Sequence, residues 1–243
     1  MDVTVASIAE RPDLDGRLGR SWPAFIFHDP VAKRLIPAVS RAFPHLDLVL
    51  VDPAGEVVAG GWGVPVRWDG SVQDLPDGWD GALERAVAGN DAGDVANTLC
   101  AMATEVLPDR QGEGLAGAVL TALRRLAAAE GFERMIAPAR PTLKHRYPLT
   151  PIGEYVSWRR ADGTSFDPWL RAHERLGGRM IATTDDAMAI VGSVAEWEEW
   201  TGLPLPARGE FVVTGALAPI TVDIDADAVA YHEPAVWMLH EVP

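Results

Sequence analysis

The chain has 243 residues and a single cysteine, Cys100. An internal disulfide is therefore excluded, as is a metal site built from a cysteine cluster, and no metal is expected. Cys100 lies in an apolar stretch and reads first as a small core residue, with a reactive thiol as the alternative. Positive charge is also scarce. Lys and Arg number 21 against 35 Asp and Glu, a formal net charge of −14. So acidic a surface repels phosphate backbones and anionic lipid, which excludes nucleic acid and membrane as partners. No run approaches the ~20 apolar residues of a membrane span. The opening MDVTVASIAE has neither the basic start nor the apolar core of a secretion signal, so a cytoplasmic location is expected. There is no internal repeat or low-complexity tract. An ordinary share of charged residues, 23%, suits one large domain, or one domain with an extension.

What is present centres on residues 99–130. Leu99 to Val106 is an apolar strand pattern that runs into a polar turn broken by Pro108. A Gly-rich segment follows, and then an Ala/Leu-rich helix pattern from Leu115 to Glu130, closed by Gly131. Leu115, Val119, Leu123 and Leu126 form its apolar stripe. Strand, glycine turn and helix N-terminus together make an anion cradle, because first-turn N–H groups lack partners and the helix dipole favours negative charge there. Two motifs overlap at this point. Gly112-Glu113-Gly114-Leu115-Ala116-Gly117 fits the dinucleotide fingerprint G-x-G-x-x-G. That fingerprint needs a strand ending at its first glycine and an acidic residue about 20 positions on. Pro108 ends the strand too early, and the next strand, Arg134 to Ala137, runs into Pro138 and Arg140. A nicotinamide enzyme is therefore the weaker reading.

The second motif is Gln111-Gly112-Glu113-Gly114-Leu115-Ala116, read as Q/R-x-x-G-x-G/A after a strand and a proline. With its flanking strand and helix it resembles the GNAT family of N-acetyltransferases. The resemblance implies a fold of α/β (α+β) type, a mixed central sheet flanked by helices, here with a C-terminal β-rich extension. It also implies acetyl-CoA, or another acyl-CoA, as co-substrate, held by Thr104, Val106, Gln111, Gly112, Glu113, Gly114, Leu115 and Ala116. An amine of a small molecule would attack the thioester directly in a ternary complex. A CoA-binding sensor or docking module without turnover is the alternative.

Around this centre the chain reads in order. Asp29-Pro30 opens a helix to about Phe43, in which Pro37 should kink or split it. Leu46 to Val51 and Glu56 to Val66 form a hairpin. Residues 69–94 are rich in Asp and Gly, with a short helix at Trp79 to Val87. They read as a long loop, either a substrate lid or a solvated excursion. Asp167-Pro168 starts another helix, and Arg179 to Val194 supplies a further strand. Phe211 to Thr214, Ile220 to Ile224 and Ala235 to Leu239 read as strands. The expected organisation is an acyltransferase domain at 1–195 and an acidic extension at 196–243, packed on the same domain or serving as the arm of a homodimer.

Three tasks remain for the chemistry. The thioester carbonyl must be polarised, which the resemblance gives to a backbone N–H near Val106. An ammonium must lose a proton before it attacks. Glu105, the only carboxylate at the end of the central strand, is a candidate base, with a salt bridge to Arg110 or a helix as the alternative. Strand alternation places it opposite Thr104 and Val106, and groups Cys100, Met102 and Thr104 on one face. Asp91 or Asp94 of the 69–94 loop, or water, are other acceptors for that proton. The departing thiolate must gain a proton. His173 occupies the position where the resembled family often carries a tyrosine for this, and histidine is able to donate near neutral pH. Arg140, Lys144, His145, Arg146 and Tyr147 form a basic loop where a strand ends. It is suited to an acceptor carboxylate or phosphate, or else is a solvated loop balancing local acid.

Overall fold

The computed structural model describes residues 2–19 and 21–243. Its strands are β1 (Thr4–Ser7), β2 (Asp47–Val51), β3 (Val57–Val66), β4 (Thr98–Val106), β5 (Arg134–Ala139), β6 (Arg179–Gly192), β7 (Gly209–Phe211), β8 (Ile220–Asp223) and β9 (Ala228–Glu241). Its α-helices are α1 (Pro30–Ala42), α2 (Gly78–Ala92), α3 (Leu115–Ala129), α4 (Ile152–Tyr155), α5 (Pro168–Arg175) and α6 (Val194–Thr201). All nine strands join one mixed sheet in the order β1-β2-β3-β4-β5-β9-β8-β7, with β6 also paired to β9. Among the described residues only β4 and β5 pair in parallel. The nicotinamide reading fails on this topology, since its fold is a doubly wound, mostly parallel sheet.

The helix starts follow the chemistry of their caps. Asp29 accepts from the N–H groups of Val31 (2.6 Å) and Ala32 (3.1 Å) ahead of α1. Asp167 does the same for Trp169 and Leu170 ahead of α5. Each is followed by proline, whose missing N–H costs nothing in a first turn. The expected break at Pro37 does not occur. One helix runs through it, because Ala32 on one side of Pro37 and Val39 on the other are both buried. That packing outweighs the one hydrogen bond a prolyl nitrogen forgoes.

Two apolar layers cover the sheet. Leu99 and Ala101 of β4 meet Leu115, Val119 and Leu123 of α3 on one face. Cys100 and Met102 meet Leu83 and Ala86 of α2 on the other. Cys100 is fully buried, and burial pushes its thiol pKa up, so it is a core residue. Segment 69–94 is not a lid. It carries α2, whose Ala82, Leu83 and Ala86 are buried, and α2 packs on α1, β3 and β6. Gly78 lets it approach closely, since a Cβ there would lie 2.2 Å from Ala187 Cα. The Asp and Gly residues that suggested a loop are the helix's ends and its solvent side.

Residues 196–243 do not form an added layer. β9 supplies the neighbour of β5 and β6, so the sheet is continuous across the expected boundary. The stretch before β9 contributes a second small core, in which Trp197, Ile220 and Val222 enclose Phe25 from the N-terminal region.

Candidate functional site

A β-bulge shapes the centre of the sheet. Trp62 of β3 pairs with Ala103 and the next residue, Gly63, pairs with Ala101, so Met102 has no partner of its own. One extra residue reverses the alternation of the strand. Thr104 and Val106 therefore join Leu99 and Ala101 on the α3 face, and the expected grouping of Cys100, Met102 and Thr104 is broken. Ala103 and Glu105 face the α1–α2 side.

Beyond the bulge β4 leaves β5. The two pair only over Thr98–Cys100 with Arg134–Ile136. β5 continues alongside β9 as far as Ala139 and Val236. The chain makes a fork here, with β4 as one prong and β5–β9 as the other. Pro138 can donate no ladder bond, and it lies where β4 has already departed. Backbone groups of Ala101 to Val106 on that side are left without a pairing strand among the described residues.

At the open end of the fork, β4 passes through Pro108–Arg110 to the cradle. Gly112 and Gly114 take positive φ (85° and 81°), and Gly114 is the N-cap of α3. The N–H groups of Gln111, Gly112, Glu113 and Gly114 find no acceptor among the described residues. Those of Leu115 and Ala116 belong to the first helical turn, where intrahelical acceptors are lacking. Residues 111–114 are exposed, Leu115 is buried and Ala116 half-buried. No acidic residue sits in the first turn of α3. Glu113 is turned to Arg110 (3.0 Å), which also meets Asp52 (3.3 Å), so Arg110 is not the partner of Glu105. A run of unpaired N–H groups at a helix N-terminus, beside an open strand edge, fits a pyrophosphate with an extended amide-bearing arm.

On the α1–α2 face the fork is lined by other groups. Glu105 is buried, and its carboxylate accepts from Gly19 N (2.7 Å), Ser21 N (3.2 Å) and Trp22 Nε1 (3.1 Å). Across the fork Arg140 donates to Glu233 (2.8 Å) and to the Gly215 carbonyl (2.6 Å), and its guanidinium lies 5.9 Å from the Trp22 ring. Tyr231 completes the group by donating to Glu233 (2.8 Å). Burial works against the Arg140 charge, but the Glu233 carboxylate, with Tyr231, more than offsets it and holds the guanidinium pKa up. Asp47 belongs to the same face. It pairs with Trp62, which pairs in turn with Ala103 at the bulge. Burial, and then the charge of Asp15, push the Asp47 carboxyl up to about 7.

Glu105 and Arg140 are thus brought together through Trp22, whereas His173, Lys144, His145, Arg146 and Tyr147 do not join them. His173 is fully buried, with Nδ1 2.8 Å from His240 Nε2. Burial first, and then His240, lower its pKa to about 3. It is neutral at neutral pH and sealed from the fork, so it is not an acid open to a thiolate. Lys144 is buried and donates to the carbonyls of Tyr147 and Leu217. His145 Nδ1 is 2.9 Å from the Thr142 carbonyl. Tyr147 packs edge-on to Trp158 and Phe166, and Arg146 is exposed. This loop ties β5 to β8 and β9 rather than presenting a basic surface to the fork. Trp22, Asp47, Tyr231 and Glu233 carried no motif, and no local signal marked them.

No protein-family model matches the chain. The arginine N-acetyltransferase avaD of Aspergillus versicolor is 31% identical over 274 residues, covering 98% of this chain and 94% of that protein. The chain belongs to the GNAT family. It is an N-acetyltransferase of that family. Two solved GNAT structures share the fold at a TM-score of 0.60. They are the loading GNAT-like domain of CurA from Lyngbya majuscula, at 14% identity with 100% and 98% of the two chains covered, and the GphF GNAT-like decarboxylase in complex with isobutyryl-CoA, at 15% identity with both chains covered in full. No helix among the described residues of this GNAT protein is long and apolar enough to cross a membrane.

Proposed function

We propose that the protein transfers the acetyl group of acetyl-CoA directly to an amine of a small cationic amino acid, with arginine the first acceptor to test. The observation that carries this is the forked sheet, with its anion cradle on the α3 side and its acid–base groups on the other face. The identity with an arginine N-acetyltransferase supports the choice of acceptor. In this reading the N–H groups of Gln111 to Ala116 hold the pyrophosphate. Thr104 and Val106 lend backbone groups of the open β4 edge to the pantetheine arm, and an N–H near Val106 points at the thioester oxygen. A fixed donor aimed at developing oxyanion charge is worth about 3–4 kcal/mol of the barrier.

The acceptor enters from the opposite face. Arg140 receives its carboxylate, and Glu105 anchors the wall against which it sits. An alkyl ammonium has a pKa near ~10 and must lose a proton before attack. Asp47, held near neutrality, accepts that proton through water. The free amine forms the C–N bond and the C–S bond breaks. The remaining excess proton on nitrogen passes to the thiolate, giving the amide and free CoA.

The experiment is CoA release from acetyl-CoA with arginine, beside a panel of other amines and amino acids. Ligand at about 100 times its Kd adds about 2.7 kcal/mol to stability, so CoA or acetyl-CoA at millimolar concentration raises Tm. If neither moves Tm, the cradle assignment fails. If CoA binds and no amine releases it, the acceptor assignment fails.

A further inference from the structure

Two carboxyl groups outside the reacting centre, Asp29 and the half-buried Asp80, lie within hydrogen-bonding reach of each other. Asp29 caps α1 and is fully buried, with Oδ1 occupied by the N–H groups of Val31 and Ala32. Asp80 lies in the first turn of α2, and its Oδ2 accepts from Ala189 N of β6 (3.1 Å). Each residue keeps one oxygen sealed from solvent and without a partner among the described residues, Asp29 Oδ2 and Asp80 Oδ1. Two ionised carboxylates so placed repel each other in a poorly screened site. A single proton on Asp80, donated to Asp29, satisfies both oxygens at once.

We infer that Asp29 and Asp80 share one proton and that this carboxyl pair is a positioning element for acetyl transfer, clamping α2 so that its Trp79 holds the β4 bulge. Trp79 Nε1 donates to the Met102 carbonyl at 2.9 Å, at the residue where β4 turns away from β5. The pair joins α1, α2 and β6, and the fork opens from the strand that Trp79 grips.

The described cations near the pair are engaged elsewhere. Lys33 of α1 is turned to His28 Nδ1 (3.2 Å), in the 3-10 turn before α1. Arg34 of α1 pairs with Glu84 of α2 (2.7 Å). Asp186 of β6, held by His232 of β9 (2.9 Å), adds a further negative charge. Burial, then the hydrogen bond and charge of Asp29, raise Asp80 to about 8. The sign follows from the unfolded state, where an aspartate has a pKa near ~3.9. The folded protein carries one more proton than the unfolded chain between there and about pH 8, so the pair's contribution is full at low pH and is lost as pH rises through 8.

Asp80→Asn tests this. Its amide can donate to Asp29 and still accept from Ala189 N, without titrating. The ratio of its folding constant to that of the wild type, from urea unfolding, should rise about tenfold per pH unit between roughly pH 5 and 8, other titrating groups cancelling in the ratio. A ratio independent of pH overturns the shared proton. Asp29→Asn, which preserves the cap, gives the same comparison if Asp80→Asn folds poorly. In an Asp47→Asn background, the infrared band of an un-ionised carboxyl at pH 7 should be present and should vanish with either substitution. The activity arm rests on acetyl transfer, whereas the unfolding and infrared arms do not. Above pH 8, kcat of the wild type should fall relative to Asp80→Asn, while CoA affinity stays the same in both. An unchanged kcat ratio overturns the positioning role even where the proton is found.

Discussion

His173 Nδ1 lies 2.8 Å from His240 Nε2 inside the protein, and the outer nitrogen of each ring has no partner among the described residues. A hydrogen bond between the two neutral rings, in either direction, leaves one outer donor and one outer acceptor unsatisfied. Burial is the first cause that lowers both rings, His173 to about 3 and His240 to about 4. Their pKa values when unfolded are near ~6.5. The contribution of the pair is therefore full above that value and is lost as pH falls towards 4 and 3. The stability of the wild type relative to His240→Gln, from urea unfolding, should fall between pH 7 and pH 5 by up to about 1.4 kcal/mol per pH unit, the opposing contributions of Asp47 and Asp80 cancelling in the difference. A difference independent of pH would place the acid sensitivity elsewhere.

The burial of His173 makes a kinetic prediction as well. His173→Phe should change stability and leave the pH profile of kcat intact. A profile that loses its basic limb would restore the histidine as the thiolate's acid.

Gly114 caps α3 with a φ of 81° and stands at the cradle. A side chain there adopts a left-handed conformation at a cost of roughly 1–2 kcal/mol. Gly114→Ala should weaken CoA binding by about tenfold, the equivalent of about 1.4 kcal/mol, measured by titration calorimetry. Binding at wild-type strength would mean that the pyrophosphate lies elsewhere.

Asp47→Asn should remove the acidic limb of kcat/KM near pH 7 and lower the rate above it, with CoA affinity unaffected. Persistence of that limb would assign the proton to another group.

Arg140 and Glu233 form an ion pair in which Glu233 is almost wholly buried. Truncating one partner strands the other's charge, which costs about 3–5 kcal/mol. Glu233→Ala should lower Tm accordingly, and the double variant with Arg140→Ala should be less destabilised than the sum of the two. Simple additivity would show that the pair is not coupled.

Much of this architecture is legible locally. The strand–turn–helix from Thr98 to Ala129 follows from an apolar run, two glycines and a 3.6-residue stripe. Asp29 and Asp167, each before a proline, announce their helices. What is not legible depends on residues far apart in the chain. Glu233 follows Arg140 by 93 residues, and His240 follows His173 by 67. No window of sequence shows that such pairs will meet. The bulge at Met102 is hidden for another reason. One unpaired residue reverses the facing of Thr104, Glu105 and Val106 without altering composition or apolar spacing. Residues 69–94 misled because Asp and Gly were weighed as turn formers, while Ala82, Leu83 and Ala86 formed the face that α2 buries.

The position of β9 has a consequence for how the molecule is made. β5 must wait for its neighbour until α4, α5, β6, α6, β7 and β8 have left the ribosome. Until then one prong of the fork carries a bare strand edge, a known route to association with other chains. Distant pairing of this kind is slow to nucleate. The cradle, built from adjacent residues, can form early. The far wall of the fork arrives last, so newly made protein should gain CoA affinity before it gains activity.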